Sequence, residues 1–161
     1  MGLQPGELFV HRNIANQVCL SDVNTMSVIQ YAVEVLEVTD IIVAGHYGCG
    51  GISAAFKKHD HGALEAWLSH IRDTRIRFKN QLTGTLAENE KKLVELNVKS
   101  QVYDIAKIPC VQKTWIKGKE LRVHGLVYQM ENGILKDLGL TLNKLSMVPE
   151  EFWIYDNKMV A

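Results

Sequence analysis

The chain has 161 residues, of which 47% are hydrophobic and 22% are charged, and its 18 basic side chains balance its 18 acidic ones. That length predicts a single domain over residues 1–161, and the apolar fraction excludes an intrinsically disordered chain. A net charge of zero argues against a nucleic-acid-binding protein, and no apolar run is long enough to cross a membrane. Three cysteines, without a visible secretory signal, favour reduced thiols in a cytoplasmic protein.

Apolar runs alternate with helical periodicity along the chain. Short runs of strand-forming residues at 8–10 and 41–44 predict two strands, the second buried on both faces. The spacing of apolar residues then predicts helices over 26–37, 52–57, 64–82 and 93–105, the first capped by a polar side chain between 21 and 25 and the last ending before Pro109. Strands at 121–128 and 134–138 flank Glu131-Asn132-Gly133, which predicts a hairpin.

This alternation predicts an α/β fold, with a mainly parallel β-sheet flanked by helices and a hairpin strand near the C-terminus. Ligands of such sheets bind at the carboxyl ends of the strands. Two segments follow predicted strands in that position, residues 11–16 and residues 45–51. We therefore expect a functional site to involve one or both of them.

The second of these segments contains His46-Tyr47-Gly48-Cys49-Gly50-Gly51. An imidazole and a thiolate three residues apart on a tight turn can both reach one Zn²⁺ ion, which accepts nitrogen at about 2.0–2.1 Å and sulfur at about 2.3 Å. The glycines allow the sharp turn that this arrangement requires. Zinc needs three or four ligands, so a buried histidine and cysteine beside a glycine-rich helix start explain the same spacing equally well.

Six sequence blocks, in order, resemble the β-class carbonic anhydrases, in particular the bacterial type that bicarbonate regulates. The blocks are residues 6–16 (GELFVHRNIAN), 27–33 (SVIQYAV), 45–51 (GHYGCGG), 67–73 (WLSHIRD), 95–98 (ELNV) and 123–128 (VHGLVY). The resemblance implies a zinc-dependent lyase that interconverts carbon dioxide and bicarbonate by attack of a metal hydroxide. It also implies that two cysteines and one histidine hold the zinc, and that His46 and Cys49 are two of these three ligands.

The sequence departs from the family before the first of these blocks. The family has Cys-x-Asp-x-Arg on a strand there, which supplies the first zinc ligand and a catalytic Asp–Arg pair. Cys19 lies after the block and Asp73-Thr74-Arg75 lies within helical periodicity, so neither replaces that segment. We therefore expect a chain truncated at its N-terminus relative to the family, without the central strand of the family sheet, and inactive or nearly so. Either further residues precede Met1, or another segment or a neighbouring chain fills the gap.

The resemblance implies a second site, at which Arg12 and Tyr128 hold an allosteric bicarbonate ion. The alternative is that Arg12 forms a structural ion pair and that Tyr128 packs in the core. Subunits of the family associate, so a dimer or tetramer is expected. Two other functions stay open: a non-catalytic relative that acts as an oligomerising or anion-binding domain, and a zinc hydrolase with a different small substrate.

The remaining histidines and cysteine have plainer interpretations. His59-Asp60-His61 is expected to be a polar turn rather than a metal site, and His124 a satisfied histidine on a strand. Cys110 is expected to pack as a small buried apolar group.

Overall fold

The computed structural model describes residues 2–155. Within these residues the strands are β1 (Asp40–His46), β2 (Arg122–Gln129) and β3 (Ile134–Leu142). The α-helices are α1 (Val23–Glu34), α2 (Gly50–Ala54), α3 (Leu64–Arg77), α4 (Leu86–Ala106) and α5 (Pro109–Ile116). Single turns of 3₁₀ helix lie at Ile14–Asn16, Lys79–Gln81, Leu145–Met147 and Glu150–Phe152.

The strands form one mixed sheet in the order β1-β2-β3. β1 and β2 are parallel, and their register places Ala44 opposite Leu126 and His46 opposite Tyr128. β2 and β3 are antiparallel, and the turn between them includes Gly133 at φ +73°, a conformation that favours glycine. The α/β fold class and the C-terminal hairpin strand are therefore confirmed, with one parallel and one antiparallel strand pair among residues 2–155.

Helix α4 is the central helix of the core. A capping box begins it, because Thr85 accepts from the Glu88 N–H while the Glu88 carboxylate accepts from the Thr85 N–H at 2.8 Å. The helix packs against all three strands, and its Leu93, Val98 and Val102 are fully buried. The apolar periodicity begins only at residue 93 because the first two turns of the helix are exposed and polar.

The other helices differ from the predicted bounds at their ends. α1 begins three residues before the predicted start, because the Asp22 carboxylate accepts from the Asn24 N–H at 3.1 Å. α2 spans Gly50–Ala54 instead of 52–57, and α3 ends before residue 82. The sequence pattern does not predict α5, since Pro109 marks the end of one helix and is also the first residue of the next.

The predicted strand at residues 8–10 is wrong. These residues have no regular secondary structure, and Leu8, Phe9 and Val10 are 46%, 51% and 64% exposed. Hydrogen bonds to a neighbouring strand stabilise a strand, and among residues 2–155 the sheet contains no strand beside this segment. Residues 8–10 therefore have strand-forming side chains but no partner.

The buried apolar side chains of the described residues form one cluster, contributed by the sheet and by all five helices. Cys110 is 7% exposed in this cluster, which confirms that it packs as a buried apolar group. Burial raises the pKa of its thiol to about 11, and the nearby Glu34 carboxylate adds to this shift. None of the helices within residues 2–155 has both the length and the apolar composition needed to span a lipid bilayer.

A charged cluster connects the strands at the amino end of β1. The Arg122 guanidinium donates to both carboxylate oxygens of Asp40, at 2.7 and 2.8 Å. His124 is satisfied, as expected, because its Nε2 lies 2.9 Å from Asp40 and its Nδ1 lies 3.0 Å from the Thr141 hydroxyl. Hydrogen bonds from Arg122, and then from His124 and Thr39, hold the pKa of Asp40 well below its ordinary value.

This shift predicts a pH-dependent contribution of Asp40 to stability. Its pKa is lower in the folded than in the unfolded state, so the carboxylate stabilises the fold above about pH 4 and loses that contribution as the pH falls further. We expect Asp40→Asn to be less stable than the wild type near neutral pH, with a difference that shrinks below about pH 4. Urea unfolding at a series of pH values measures this, with Glu131→Gln as an exposed control. A difference that stays constant between neutral and acidic pH would contradict the prediction.

Candidate metal centre

The carboxyl end of β1 leads directly into the turn that carries the two candidate zinc ligands. His46 is the last residue of β1 and is exposed, Tyr47 and Gly48 form the turn, and Cys49 precedes the first residue of α2. Gly48 has φ +70°, a left-handed conformation that residues with a Cβ rarely adopt. Cys49 is 7% exposed. The turn therefore presents an exposed imidazole next to a buried thiol.

The main chain of the turn sets the protonation of the His46 ring. Its Nδ1 lies 3.0 Å from the carbonyl oxygen of Tyr47. A carbonyl oxygen can only accept, so this hydrogen bond requires a proton on Nδ1 and leaves the lone pair on Nε2. Histidines that bind metals characteristically donate their other ring nitrogen to a carbonyl or carboxylate in this way. With this hydrogen bond, the neutral His46 ring keeps Nε2 as its free donor atom.

A strained segment packs against both ends of the turn. Ala15 and Asn16 have φ of 58° and 47°, which is unusual for residues other than glycine. A Cβ added to Gly51 would lie 2.8 Å from the Ile14 side chain, and one added to Gly45 would lie 3.2 Å from the Asn16 side chain. The two segments in which a site is expected, 11–16 and 45–51, contact each other, although residues 8–10 are not a strand.

Three buried amide side chains hold this strained segment in place. Asn97 Nδ2 and Gln17 Nε2 both donate to the Ala15 carbonyl oxygen, each at 2.9 Å. Gln17 also donates to Asn97 Oδ1 at 2.8 Å, and Gln101 Oε1 accepts from the Val18 N–H at 2.7 Å. A buried polar group left without a partner costs about 1–3 kcal/mol, so this network opposes relaxation of the left-handed residues.

Tyr47 connects the turn to α4 and β3. Its hydroxyl donates to Glu95 Oε1 at 2.6 Å, while Lys136 Nζ donates to the same oxygen at 2.7 Å and to the hydroxyl at 3.3 Å. Burial, with the hydrogen bond to Glu95, raises the pKa of Tyr47. Burial also raises the pKa of Glu95, but hydrogen bonds from Lys136 and Tyr47 outweigh it and leave that pKa below its ordinary value. At neutral pH the cluster is therefore a phenol, a carboxylate and an ammonium group.

His46 and Cys49 fit a zinc site as two of its ligands. An imidazole with a free Nε2 and a thiol are donors that zinc binds. Among residues 2–155, however, no three histidine, cysteine, aspartate or glutamate side chains are grouped so that they could hold a metal ion. Cys19 and Asp73 line a cavity to which neither His46 nor Cys49 contributes. The described residues thus supply two donors and not a third.

The segment at residues 59–61 is a loop, as expected from its polar sequence. The Asp60 carboxylate accepts from the Gly62 N–H at 2.8 Å, and the His59 and His61 rings meet edge to face with centroids 5.0 Å apart.

The two residues of the implied bicarbonate site are both on the surface. Tyr128 is exposed near the end of β2, opposite His46, and its carbonyl oxygen accepts from the Tyr47 N–H at 3.2 Å. Arg12 is exposed, and among residues 2–155 its side chain forms no hydrogen bond or ion pair. Tyr128 is therefore not a core residue, and Arg12 forms no structural ion pair among residues 2–155. No hydrogen bond joins the two side chains.

Sequence reasoning missed six residues that hold this turn and the segment beside it, namely Gln17, Tyr47, Glu95, Asn97, Gln101 and Lys136. Tyr47 lies inside the HYGCGG segment, and Glu95 and Asn97 lie in the ELNV block. Both segments carry the family resemblance, so these three residues could have been named as candidate site residues from the sequence. Gln101 carried no comparable signal. A polar residue on an amphipathic helix ordinarily faces solvent, and only the folded chain shows that this amide is buried.

Sequence and structure comparisons agree on the family. The sequence profile of the family described as carbonic anhydrase matches residues 1–135. The structure of the Coccomyxa β-carbonic anhydrase in complex with acetazolamide superposes on 92% of this chain and 70% of that one, with a TM-score of 0.85 at 35% identity. The chain belongs to the β-carbonic anhydrase family. The resemblance of the six sequence blocks to the β-class carbonic anhydrases is thus confirmed.

Fungal proteins are among the relatives of this β-carbonic anhydrase chain. A carbonic anhydrase of Emericella nidulans is 44% identical over 142 residues, which cover 87% of this chain and 62% of that protein. A β-carbonic anhydrase of Sordaria macrospora, described as tetrameric, has a TM-score of 0.81 at 34% identity, covering 88% of this chain and 73% of that one. The chain therefore spans less than two thirds of the length of the Emericella relative.

The close approach behind the turn at residues 47–48 predicts that Gly45→Ala destabilises the fold of this chain. An added Cβ would lie 2.6 Å from Cγ2 of Val98, which is fully buried and β-branched and so cannot rotate away. Overpacking of this kind costs about 1–3 kcal/mol of the free energy of unfolding. Urea unfolding measures the loss, and Gly50→Ala is the control because nothing lies within 4 Å of its added Cβ. Equal stability of the two variants would show that α4 and β1 do not pack so closely.

Proposed function

We propose that this chain contributes to a zinc-dependent carbonic anhydrase, which catalyses the reversible hydration of carbon dioxide to bicarbonate and a proton. The observation that carries the proposal is the pair of donors at the carboxyl end of β1. His46 keeps its proton on Nδ1 and so offers Nε2, and the thiol of Cys49 follows on the same glycine-rich turn. These are donors of the kind that zinc binds in proteins, and family membership is consistent with this chemistry.

Each residue of the turn has a distinct part in this proposal. His46 and Cys49 would hold the ion, and Gly48 gives the main chain the left-handed conformation that brings the turn back toward α2. Zinc, when bound, supplies a strong nucleophile from water at neutral pH. Burial of Cys49 keeps its sulfur away from bulk water, which limits its oxidation.

A complete site needs at least one more protein ligand than the described residues supply. We propose that this ligand comes from outside residues 2–155, from another segment or from a neighbouring chain. Among these residues β1 pairs only with β2, so its other edge is open to a further strand next to His46. With two ligands alone, the 161-residue polypeptide is expected to bind zinc weakly and to be inactive or nearly so.

This proposal predicts how zinc binding and activity respond to substitution in the 161-residue polypeptide. His46→Ala and Cys49→Ser each remove a direct ligand of the proposed zinc ion. Loss of a residue that only hydrogen-bonds to a ligand lowers metal affinity roughly 10–100-fold, so each of these substitutions should weaken Zn²⁺ binding by more than that. Competition with a chromophoric chelator measures the affinity, and Cys19→Ser is the control because its thiol lies outside the turn. Stopped-flow hydration of carbon dioxide should stay near the uncatalysed rate.

Each measurement has an outcome that opposes the proposal. Unchanged zinc affinity in both ligand variants would show that the turn is not the metal site. Rapid hydration by the 161-residue polypeptide under conditions in which it is monomeric would show that no ligand from a neighbouring chain is needed, and would contradict the expected inactivity. Tight zinc binding that depends on both ligands, without hydration of carbon dioxide, would favour a zinc hydrolase with another small substrate or a non-catalytic relative.

We further propose that Arg12 and Tyr128 bind bicarbonate as a regulatory ligand. The register that places Tyr128 opposite His46 supports a position close to the metal site. The Arg12 guanidinium forms no ion pair among residues 2–155, so its donors are free to make the paired hydrogen bonds that suit a carboxylate-shaped anion.

The bicarbonate proposal predicts that Arg12→Ala weakens binding of this anion. We expect the bicarbonate dissociation constant, from ¹³C NMR titration, to rise about tenfold, which corresponds to the loss of one charge-assisted contact. Arg77→Ala, at the exposed end of α3, is the control and should match the wild type. Equal dissociation constants for Arg12→Ala and the wild type would remove Arg12 from the site.

We also propose that the chain self-associates as a dimer or tetramer in the cytoplasm. The tetrameric description of the Sordaria protein supports this, as do the exposed apolar side chains of Phe9, Val35 and Ile42. The reducing cytoplasm suits the role proposed for Cys49, because only a reduced thiol can bind zinc.

A further inference from the structure

We infer that Asn132 is a site of spontaneous deamidation and that the folded β2–β3 hairpin controls the rate of this reaction. Asn132 and Gly133 form the only Asn-Gly pair in the sequence, and both are exposed in the turn between Gln129 and Ile134. Deamidation is a reaction of the polypeptide itself. It therefore does not depend on the proposed zinc site.

The reaction joins two groups that are neighbours along the chain. The main-chain nitrogen of Gly133, after losing its proton to base, attacks the side-chain Cγ of Asn132 and forms a C–N bond. The bond from Cγ to Nδ2 breaks, and Nδ2 takes a proton from water and leaves as ammonia, so that a five-membered succinimide remains. Water then opens this ring at either carbonyl and gives aspartate or isoaspartate. Glycine has no side chain to hinder the ring closure, so an Asn-Gly pair is the most reactive setting for it.

The folded turn occupies both reacting groups with hydrogen bonds. The Gly133 N–H donates to the Gln129 carbonyl oxygen at 2.9 Å. The side-chain oxygen of Asn132 accepts from the Ile134 N–H at 3.0 Å. While the first hydrogen bond is closed, the Gly133 nitrogen keeps its proton and cannot attack. The second hydrogen bond holds the Asn132 side chain within the turn.

Opening of the turn should therefore limit the reaction in the folded chain. Pairing of Gln129 with Ile134, directly beside the turn, opposes this opening. Hydrogen exchange of the Gly133 amide also needs base to remove the same proton, so exchange and deamidation depend on the same opening. The hairpin should slow both reactions by a similar factor.

The experiment follows Asn132 in the 161-residue protein, kept folded in buffer or unfolded in guanidinium chloride at the same mildly alkaline pH. Peptide mapping by mass spectrometry measures the conversion, and Asn143 is an internal control because it is exposed but is followed by lysine. In the unfolded chain, Asn132 should convert faster than Asn143. In the folded chain, Asn132 should convert at least about tenfold more slowly than in the unfolded chain, and exchange of the Gly133 amide should be slowed to a similar degree.

Two variants test whether the hairpin controls the rate. Ile134→Gly keeps the N–H that contacts Asn132 but weakens the strand beside the turn. It should accelerate deamidation of the folded chain about fivefold and leave the unfolded chain unchanged. Leu86→Gly makes the same kind of change at an exposed apolar residue at the start of α4, outside the hairpin, and should match the wild type.

Each outcome supports or opposes the inference. Slow conversion in the folded chain, fast conversion in the unfolded chain and acceleration in Ile134→Gly but not in Leu86→Gly support it. Equal rates in the folded and unfolded chains, or in folded Ile134→Gly and the folded wild type, would overturn control by the hairpin. An unfolded chain in which Asn132 stays intact would show that it is not a deamidation site. All of these rates are measured without zinc or carbon dioxide, so failure of the proposed function would leave them unaffected.

Discussion

The close packing of helix α4 on strand β1 at Gly45 is the constraint on which the rest of the structure depends. Because residue 45 has no Cβ, the Val94 and Val98 side chains of α4 can lie directly against the strand. This contact fixes the position of the helix along the strand. Two other residues of the same helix, Glu95 and Asn97, thereby reach the turn that follows β1 and the segment packed beside it.

Polar side chains on two sides of helix α4 contact different segments of the chain. On the buried side, Asn97 and Gln101 satisfy the main chain of a segment that includes the left-handed Ala15 and Asn16. On the partly exposed side, Glu95 holds Tyr47 and so acts on the turn itself. Strain of this kind persists only where the surroundings hold it, and it is typical of functional sites. The left-handed Gly48 lies in the turn proposed to bind zinc, and the strained segment packs beside that turn.

The N-terminal segment and the open edge of β1 have a common physical explanation. Residues 8–10 have the β-branched and aromatic side chains of a strand, yet strand propensity depends on pairing and burial more than on the backbone alone. The described residues offer these three positions no neighbouring strand, and β1 pairs on one side only. The unpaired residues 8–10 and the unpaired edge of β1 thus both reflect the lack of a neighbouring strand among residues 2–155.

The sequence by itself determined the α/β class, the hairpin around Gly133, the buried strand before His46 and the family, because periodicity, turn chemistry and ordered motifs depend on neighbours along the chain. It also indicated segments 11–16 and 45–51 as two places where a site could lie. Only the tertiary structure decided that 8–10 is not a strand, that Pro109 begins a helix, and that buried amides hold the segment beside the turn. The last of these depends on contacts between residues about 80 positions apart, such as Gln17 with Asn97. Nothing in local spacing encodes which polar side chain of a long helix finds a buried partner.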